Sequence, residues 1–540
     1  MRKILDERER IELRQHRRLI ITETLMFLSV IVLVCFLTLV VMGYSFNLRG
    51  LDGSAEVVER TGLVQVASMP PGATIYIDGE TSLLFNTNAS RAVLAGEHEI
   101  SLARGGFDGW KKTINVTEGL VYRLNYPRLF KEERETEEVL EFHNHTYDVA
   151  RMLQLEAKDG VVDTGGIEFV SVSPNNERMV LLMDSGLYLI NLNESKPTLK
   201  MLEIMNKEGA LVPFPNIEVA EWSGNSERLL VKTNGAWVSV NVRDARETVW
   251  LNEIIVNCAE KQGSKDEASA EASCAKVVVS DIKIENEAGD RLLVLSDKNE
   301  LFELSVREGK LSEALLEGVY EFDNDDERVM FLTKTKVETS GEDFAAETEV
   351  HEEWQLRAWR LGDADTWLVK RLTEFDKEKG LEFRVMRYFQ EFYLGVVDGA
   401  EFEVYKKTGW PIMDEEMEKV FEEEEVGSDI QAMQKRGKGM VFELSGASGQ
   451  TKVFDIEAMK TVDVDTTGCG WVDEFLRYRL QDGRLSVLDY DGLNERVLVQ
   501  SGVLAKRKVV ISGNNRYLYY FVPNGEGEAL GEKLVREKIN

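Results

Sequence analysis

The chain has 540 residues and a formal net charge of −31 at pH 7, and 43% of its residues are hydrophobic. This acidic surplus argues against nucleic acid and anionic lipid headgroups as partners, because both are bound through Lys and Arg side chains. Four cysteines are too few for a disulfide-stabilised scaffold. The length leaves room for two or three domains or for one large repeat array.

Residues Leu25–Phe46 form an uncharged apolar run of 22 residues, long enough to cross a bilayer as one helix. The first 18 residues carry seven cations, whereas the comparable window after the run carries only Arg49 and Arg60. The positive-inside rule then predicts a cytoplasmic tail at 1–24, a single transmembrane helix at 25–46 and an extracytoplasmic region beyond it. A cleavable signal peptide is the alternative, but its apolar region would be about 7–15 residues, and no small-residue cleavage site follows the run.

A linker at residues 47–61 leads into a small all-β domain at residues 62–128. Short alternating strands are separated there by strong turn signals, and Asp78-Gly79 directly follows one of these strands. Because glycine tolerates the positive φ of a tight turn, this pair predicts a hairpin.

The domain resembles the PEGA domain, whose pattern is Ser-x-Pro-x-Gly-Ala, a strand ending in Asp-Gly, a Gly-x-His-x-Ile strand and a Gly-aromatic turn. Pro71 stands where the family has Glu, and Thr87 takes the place of the family's common Gly-x-Thr-Pro. The resemblance implies a non-catalytic module of extracytoplasmic proteins, and with a preceding membrane helix it resembles membrane-anchored PEGA proteins of small-genome bacteria. The matching positions are Ser68, Pro70, Gly72, Ala73, Tyr76, Asp78, Gly79, Gly96, His98, Ile100 and Phe107.

After a connector at 129–148, residues 149–530 repeat one unit, which is a polar turn, an apolar strand, a short turn and a second strand. Roughly eight copies give a period of about 47 residues, close to the size of a four-stranded propeller blade. We therefore predict a seven- or eight-bladed β-propeller, followed by a C-terminal tail at 531–540. The clearest copy, at Ser171, is similar to repeats of TolB-like and prolyl-peptidase propellers. An arginine recurs in register after the turn, where we interpret it as a surface side chain of the turn and not a ligand: Arg178, Arg228, Arg291 and Arg328.

Insertions interrupt the repeats between Cys258 and Cys274, at residues 338–353 and at residues 414–425. The two cysteines bracket a polar loop, and in an oxidising compartment they could form a disulfide across its base. Two unrelated thiols are the alternative. The acidic run at 414–425 lacks the Asp/Asn/Gly spacing of a calcium loop, and we interpret it as a solvated loop.

The search for catalytic motifs finds none that is specific. Asp163-Thr164-Gly165 resembles half of an aspartic-protease dyad, but the only similar string begins at Asp465 and contains an extra Thr. His143 and His145 are a weak zinc pair without further ligands nearby. The sequence therefore assigns no catalytic residue, cofactor or metal.

These observations predict a single-pass type II cell-membrane protein that is not an enzyme. Its extracytoplasmic part is expected to combine a PEGA module with a propeller that binds a protein, peptide or glycan of the cell envelope. The alternative is an envelope hydrolase or lyase whose active site lies in the propeller loops and leaves no linear motif.

Overall fold

The structure is a computed structural model of the chain. It describes residues 21–35, 37–38, 44–46, 58–142, 161–162, 167–183, 186–205, 211–213, 217, 219–252, 254–255, 277–325, 328–339, 349–372, 381–408, 417–424, 426, 430–436, 439–446, 450–465, 468–505, 507–524 and 531–540. Two compact units divide the chain, Met1–Glu132 and Glu133–Asn540.

The first unit begins with a helix that includes residues 21–35 and 37–38. No helix in the described part of the chain is both long enough and apolar enough to span a bilayer. The transmembrane helix at 25–46 therefore stays a prediction, and its C-terminal end needs correction. Tyr44–Phe46 forms a strand that pairs antiparallel with residues 58–60, since aromatic side chains favour a pleated surface.

Two four-stranded sheets make up the rest of this unit, in the orders β1-β2-β5, with β8 beside β2, and β4-β3-β6-β7. In β7, Trp110, Lys112, Ile114 and Val116 are buried while the alternate residues are exposed, as expected for a strand with one face on a core. The strands are β1 (Tyr44–Phe46), β2 (Val58–Val66), β3 (Thr74–Ile77), β4 (Glu80–Asn86), β5 (Ala89–Leu94), β6 (Gly96–Ala103), β7 (Trp110–Val116) and β8 (Val121–Leu124).

The second unit, here called the propeller unit, contains eight sheets in the described residues. It begins with β9 (Thr136–Phe142) and β10 (Val161–Val162), which belong to its last sheet. Seven sheets, called blades 1 to 7, then follow in chain order.

Blade 1 holds β11 (Ile167–Val172), β12 (Arg178–Met183), β13 (Gly186–Asn191), β14 (Leu199–Met205) and β15 (Leu211–Pro213). Blade 2 holds β16 (Val219–Trp222), β17 (Arg228–Thr233), β18 (Ala236–Asn241), a 3₁₀ turn at Ala245–Glu247 and β19 (Val249–Trp250). Blade 3 holds β20 (Val279–Ile284), β21 (Arg291–Ser296), β22 (Glu300–Ser305), β23 (Lys310–Leu311) and β24 (Leu316–Glu317).

The next four blades each have four strands in sequential order. Blade 4 holds β25 (Val319–Asp325), β26 (Arg328–Thr339), β27 (Glu349–Arg360) and β28 (Trp367–Leu372). Blade 5 holds β29 (Leu381–Tyr388), β30 (Glu391–Asp398), β31 (Glu401–Thr408) and β32 (Glu418–Glu423). Blade 6 holds β33 (Ile430–Arg436), β34 (Val441–Gly446), β35 (Thr451–Asp455) and β36 (Lys460–Val464). Blade 7 holds β37 (Cys469–Trp471), β38 (Leu476–Gln481), β39 (Arg484–Asp489) and β40 (Arg496–Val499).

Blade 8 joins the two ends of the propeller unit. Its strands β41 (Val510–Ile511), β42 (Tyr517–Pro523) and β43 (Glu532–Lys538) are completed by β9, which pairs antiparallel with β43 and places Leu534 opposite Leu140. Residues 129–148 were expected to be a connector and 531–540 a tail, but both segments supply strands to this blade. Consecutive sheets closed by a strand from the start of the unit are the arrangement of a β-propeller.

Hydrophobic clusters lie between neighbouring blades, so that each blade is buried by the next. One cluster joins blade 8 to blade 1 and includes Leu534, Phe521, Met179 and Leu181. Similar clusters join blades 1 and 2, blades 2 and 3, blades 3 and 4, and blades 4 and 5. This packing explains the repeat in the sequence, because a single blade cannot bury its own faces.

Candidate functional site

The first strands of the blades face one another around the centre of the propeller unit. Those of blades 2, 3 and 4, with residues of the turns that follow them, line a pocket of about 740 Å³, which Lys232 and Trp237 of blade 2 and Lys435 of blade 6 complete. This volume lies within the range of small-molecule and peptide-side-chain sites, roughly 300–1,000 Å³. The lining residues that carry charge are Glu221, Lys232, Asp281, Lys283, Glu285, Glu287, Asp323, Asp325 and Lys435.

Asp323 connects four blades at the base of this charge cluster. Its carboxylate lies 3.5 Å from Lys283 Nζ of blade 3 and 3.2 Å from Lys435 Nζ of blade 6. The backbone N–H of Val385, in blade 5, donates to Asp323 Oδ2 at 3.0 Å. The lysines also donate to backbone carbonyls of blade 4, Lys283 to Phe322 O at 2.6 Å and Lys435 to Asn324 O at 3.0 Å. One buried carboxylate thus holds together first strands that are far apart in the chain.

The charged state of Asp323 is favoured by these contacts. Burial by itself raises the pKa of its carboxyl, but Lys435, Lys283 and Arg384 together with the Val385 N–H hold the pKa below its ordinary value. Asp323 and its two lysines therefore form an ion network in which cations of the protein itself match the charged carboxylate.

Glu221 and Asp281 are different, because no cation in the described part of the chain lies at ion-pair distance from either carboxylate. Among the described residues no side chain donates to the Glu221 carboxylate, and Asp281 accepts only from the N–H of Ile282, at 2.9 Å. Burial among protein atoms raises the pKa of Glu221 to about 7. The positive charge of Lys283 opposes this rise, and the negative charge of Asp281 adds to it. Its side chain is nevertheless reached by water in the pocket. Burial also raises the pKa of Asp281.

Two tryptophans of blade 2 supply the apolar part of the pocket wall. Trp222 is buried, and its Nε1 donates to Ser171 Oγ of blade 1 at 3.0 Å. Trp237 is also buried, and Lys232 Nζ lies 5.8 Å from the centroid of its ring. The indole rings are fixed in place, and aromatic faces of this kind attract cations.

Polar turns between the first and second strands of blades 1, 2 and 8 share a hydrogen-bond pattern that fixes their shape. In blade 2, Ser223 Oγ donates to Asn225 Oδ1 at 2.8 Å and accepts from the N–H of Arg228 at 2.9 Å. The same contacts recur in blade 1 around Ser173 and in blade 8 around Ser512. These side chains satisfy turn N–H groups that no strand partner can reach.

Neighbouring turns are also bonded to one another. Gly513 N donates to Asn176 O at 2.7 Å, which links blade 8 to blade 1. Asn225 N donates to Glu287 O at 2.9 Å, which links blade 2 to blade 3. These backbone hydrogen bonds join the turns of blades 8 and 1 and those of blades 2 and 3.

The recurrent arginines each open the second strand of a blade, and all four make structural contacts. Arg178 donates to Ser226 O of the next blade. Arg228 pairs with Glu247 at 3.4 Å, Arg291 pairs with Glu285 at 3.0 Å, and Arg328 lies 4.0 Å from the ring centroid of Phe392. All four residues are half-buried in contacts within the protein, whereas the sequence suggested surface side chains.

A second acidic group lies on the outer strands of blade 5, where Glu401, Glu403 and Glu422 bring oxygens within 4.8 Å of one another. Lys419 Nζ lies 3.2 Å from Glu403 and 3.0 Å from Glu422, and Lys370 also pairs with Glu403. Two ammonium groups already supply the positive charge that a metal would bring. We therefore describe this group as an ion-pair network.

Several residues singled out by the sequence lie outside the described part of the chain: Cys258, Cys274, Asp163, His143, His145 and residues 414–416. The disulfide and the insertion loop stay predictions. Asp465 is described and lies 3.6 Å from Arg479. Part of the acidic run is the strand β32 and not a loop, and its Glu422 and Glu423 pair with Lys419 and Lys452.

The pocket residues were not predicted from the sequence, although the first strands carry a pattern that indicates them. Charged and apolar residues alternate along the first strands, as in Asp281-Ile-Lys283 and Glu321-Phe-Asp323. The charged face of such a strand points to the centre of the propeller unit, where water remains, and the apolar face packs on the neighbouring blade.

The first unit has its own polar network at the positions that carry the PEGA pattern. Thr87 Oγ1 lies 2.5 Å from Ser68 Oγ and accepts from the N–H groups of Gly72 and Ala73 at 3.0 and 3.1 Å. A ring nitrogen of His98 lies 2.7 Å from Asp78 Oδ2.

The hydrogen bond with His98, together with one from the N–H of Glu99, lowers the pKa of Asp78. The residues of the PEGA pattern that make these contacts thus fix the turns of this unit.

The comparisons with known proteins agree with this division. Residues 61–129 match the family model of the PEGA domain, which confirms the resemblance seen in the sequence. The chain as a whole therefore combines a PEGA domain with an all-β unit of β-propeller type. The comparison with curated proteins finds no match.

Among solved structures, dipeptidyl peptidase 4 of Porphyromonas gingivalis is 11% identical with a TM-score of 0.39, and the alignment covers 66% of this chain and 56% of the peptidase. This chain thus matches little more than half of the peptidase. The C-terminal WD40 domain of Sif2 is 10% identical with a TM-score of 0.38, covering 74% of this chain and 97% of that domain. Both similarities are too weak to carry an argument, and the fold rests on the strand pairing of the chain itself.

Proposed function

We propose that this chain is a membrane-anchored protein of the bacterial cell envelope, without catalytic activity, whose eight-bladed propeller binds a protein, peptide or glycan. The ligand enters the pocket formed by the first strands of blades 2, 3 and 4. The PEGA domain lies between the anchor and the propeller in the sequence and is a non-catalytic module. The observation that carries the proposal is the pocket, with its fixed tryptophans and charged wall.

The exposed apolar surface of the N-terminal helix supports the membrane anchor. Leu25 is 67% exposed and Phe27 is 69% exposed, and neighbouring apolar side chains are similarly uncovered. A helix with this surface is unfavourable in water and favourable in lipid. The cations of residues 1–18 support a cytoplasmic N-terminus.

Protease treatment of intact cells tests this topology. The chain is expressed with a C-terminal epitope, and a cytoplasmic protein serves as the control for cell integrity. We expect the protease to release a fragment of nearly the full extracytoplasmic mass. Protection of the epitope in cells that are otherwise accessible to the protease would contradict the proposal.

Blocking the pocket tests the binding function. Ser280 lines the pocket and is exposed, so Ser280→Trp fills it without removing a buried contact. Ser501→Trp is the matched control, because Ser501 is exposed in the segment that connects blade 7 to blade 8. Full-length protein in detergent is screened against arrays of peptides and envelope glycans. A ligand retained by the parent chain and by Ser501→Trp, but lost by Ser280→Trp, supports the pocket; equal retention by all three contradicts it.

A second candidate function is an envelope hydrolase or lyase that acts in the same pocket. Glu221, with a pKa of about 7, is the observation that favours it, because a general acid or base works best near the ambient pH. The two functions differ in what happens to the bound ligand. Recovery of the ligand chemically unchanged after long incubation supports binding alone, whereas turnover that is lost in Glu221→Gln supports an enzyme.

A further inference from the structure

We propose that the pocket selects a ligand with a basic group, an ammonium or guanidinium, and that this group is the side chain of Lys or Arg in a peptide. The inference rests on the proposed binding function and names the chemistry of the ligand. The basic group lies between the carboxylates of Glu221 and Asp281, and its methylene stem packs on the tryptophan wall.

The charged residues that line the pocket favour a ligand with a positive charge. Six carboxylates and three lysines line the pocket. Lys283 and Lys435 are both held by the buried Asp323, and Lys232 lies over the ring of Trp237. The lysines are therefore committed to internal contacts. Glu285 is also paired, with Arg291 at 3.0 Å, so six lining carboxylates meet four cations and the pocket keeps an acidic surplus.

The surplus negative charge of the pocket is found on two neighbouring blades. Glu221 and Asp281 lie on the first strands of blades 2 and 3, where no cation of the described residues contacts either carboxylate at ion-pair distance. Placing like charges together in a partly enclosed space is unfavourable unless a cation is supplied. A ligand ammonium or guanidinium supplies that cation and gains charge-assisted hydrogen bonds.

The apolar wall of the pocket favours the side chain of a peptide over a free metal ion as the ligand. Trp222 and Trp237 are buried and held in place, and they offer ring surface beside the carboxylates. Lys and Arg place a methylene stem on such surface while the charged end reaches polar groups. A hydrated metal ion would gain nothing from the two rings.

The test uses the full-length chain in detergent and the intrinsic fluorescence of its tryptophans. The probes are an acetylated, amidated pentapeptide of Ala with a central Lys, the same peptide with Arg, the same peptide with acetyl-lysine, and spermidine. We expect the Lys and Arg peptides to bind at least tenfold more tightly than the acetyl-lysine peptide, which corresponds to about 1.4 kcal/mol. Binding should weaken as salt is raised.

Two variants locate the basic group. The double variant Glu221→Gln/Asp281→Asn should lose at least tenfold in affinity for the Lys peptide, while Asp297→Asn, an exposed acid of blade 3 outside the pocket, should bind as the parent does. Ser280→Lys adds an internal cation without removing any contact and should also abolish binding. Thermal unfolding shows whether each variant is folded.

The outcomes separate this inference from the proposed function. Tighter binding of the peptides than of spermidine supports a peptide side chain as the source of the basic group, and the reverse supports a free polyamine. Equal binding of the Lys and acetyl-lysine peptides, lost in Ser280→Trp, would overturn the basic-group inference and leave the pocket as a binding site. Binding of neither peptide nor polyamine would also overturn it.

Discussion

Lys435 Nζ lies 3.2 Å from Asp323 Oδ2, and this ion pair joins blade 6 to blade 4 although blade 5 separates them in the chain. Blade 5 takes part through the N–H of Val385, which donates to the same oxygen at 3.0 Å. The first strands of three blades therefore converge on one buried carboxylate.

Replacing Asp323 with Asn should destabilise the chain by about 2 kcal/mol, because Lys435 and Lys283 would lose their shared anion inside the protein. Urea denaturation of full-length protein in detergent measures this change. Asp297→Asn, which removes an exposed carboxylate, is the matched control and should change stability by less than about 0.5 kcal/mol.

The pH dependence of the stability that Asp323 contributes follows from the direction of its pKa shift. Its folded pKa lies below the ordinary value of 3.8, so its charge contributes stability above that value. The contribution is lost as the pH falls through the folded pKa. The parent chain should therefore lose its advantage over Asp323→Asn in acid, and an advantage that persists there would contradict the assignment.

Glu221 should have the opposite pH dependence. Its pKa is raised from 4.5 to about 7 in the folded chain, so the folded state binds a proton that the unfolded state has released. Stability from this group is present below about pH 4.5 and is lost as the pH rises through about 7. Glu221→Gln should therefore be more stable than the parent near pH 8, by about 1 kcal/mol because pocket water screens the charge.

The groups that face Glu221 are Lys283 and Asp281 on β20, Asp323 on β25 and Lys435 on β33. Thermal unfolding at a series of pH values, with Asp297→Asn as an exposed control outside the pocket, measures the effect. Equal shifts of the two variants at every pH would show that Glu221 titrates normally.

Leu534→Ala should weaken the closure of the propeller unit. Leu534 is 0% exposed and lies in the cluster that joins blade 8 to blade 1. Loss of its buried methyl groups should cost about 2–5 kcal/mol, including the cavity left behind. Glu138→Ala on the paired strand removes an exposed partner of Lys533 and should change little. Denaturation of both variants would distinguish a closing strand from a loose tail, for which the two changes would be equally small.

Thr87→Val should loosen the turn of the PEGA domain. The change keeps the shape of the side chain but removes the oxygen that accepts from the N–H groups of Gly72 and Ala73. We expect faster hydrogen exchange of these amides and a local loss of about 1 kcal/mol. Thr113→Val, on an exposed position of β7, is the control and should leave exchange at the turn unchanged.

Cys258 and Cys274 should be oxidised to each other if the propeller unit is extracytoplasmic. Alkylation under non-reducing conditions followed by mass spectrometry should find one linked peptide pair and a mass two hydrogens below that of the reduced chain. Cys469→Ser should not change the linked pair, since the Cys469 thiol donates to Asp465 O at 3.3 Å. Two alkylated thiols at 258 and 274 would count against an oxidising exterior.

Local patterns account for what could be predicted. Asp78-Gly79 and the alternation of Trp110 to Val116 indicated strands that the structure places at β3 and β7. The repeated turns and the arginines in register indicated blades, and Arg178 and Arg228 do open the second strands. These features were readable because turn chemistry and side-chain alternation act over a few residues.

The amino-acid sequence by itself determined the all-β class, the PEGA domain and the repeat of the propeller unit, because these depend on neighbouring residues. Tertiary structure alone decided the closure and the pocket. Arg536 meets Glu137 across 399 residues of chain, and Lys435 meets Asp323 across 112. No local pattern encodes such distances, since they arise only when the blades pack in a ring and bring the charged faces of separate first strands together.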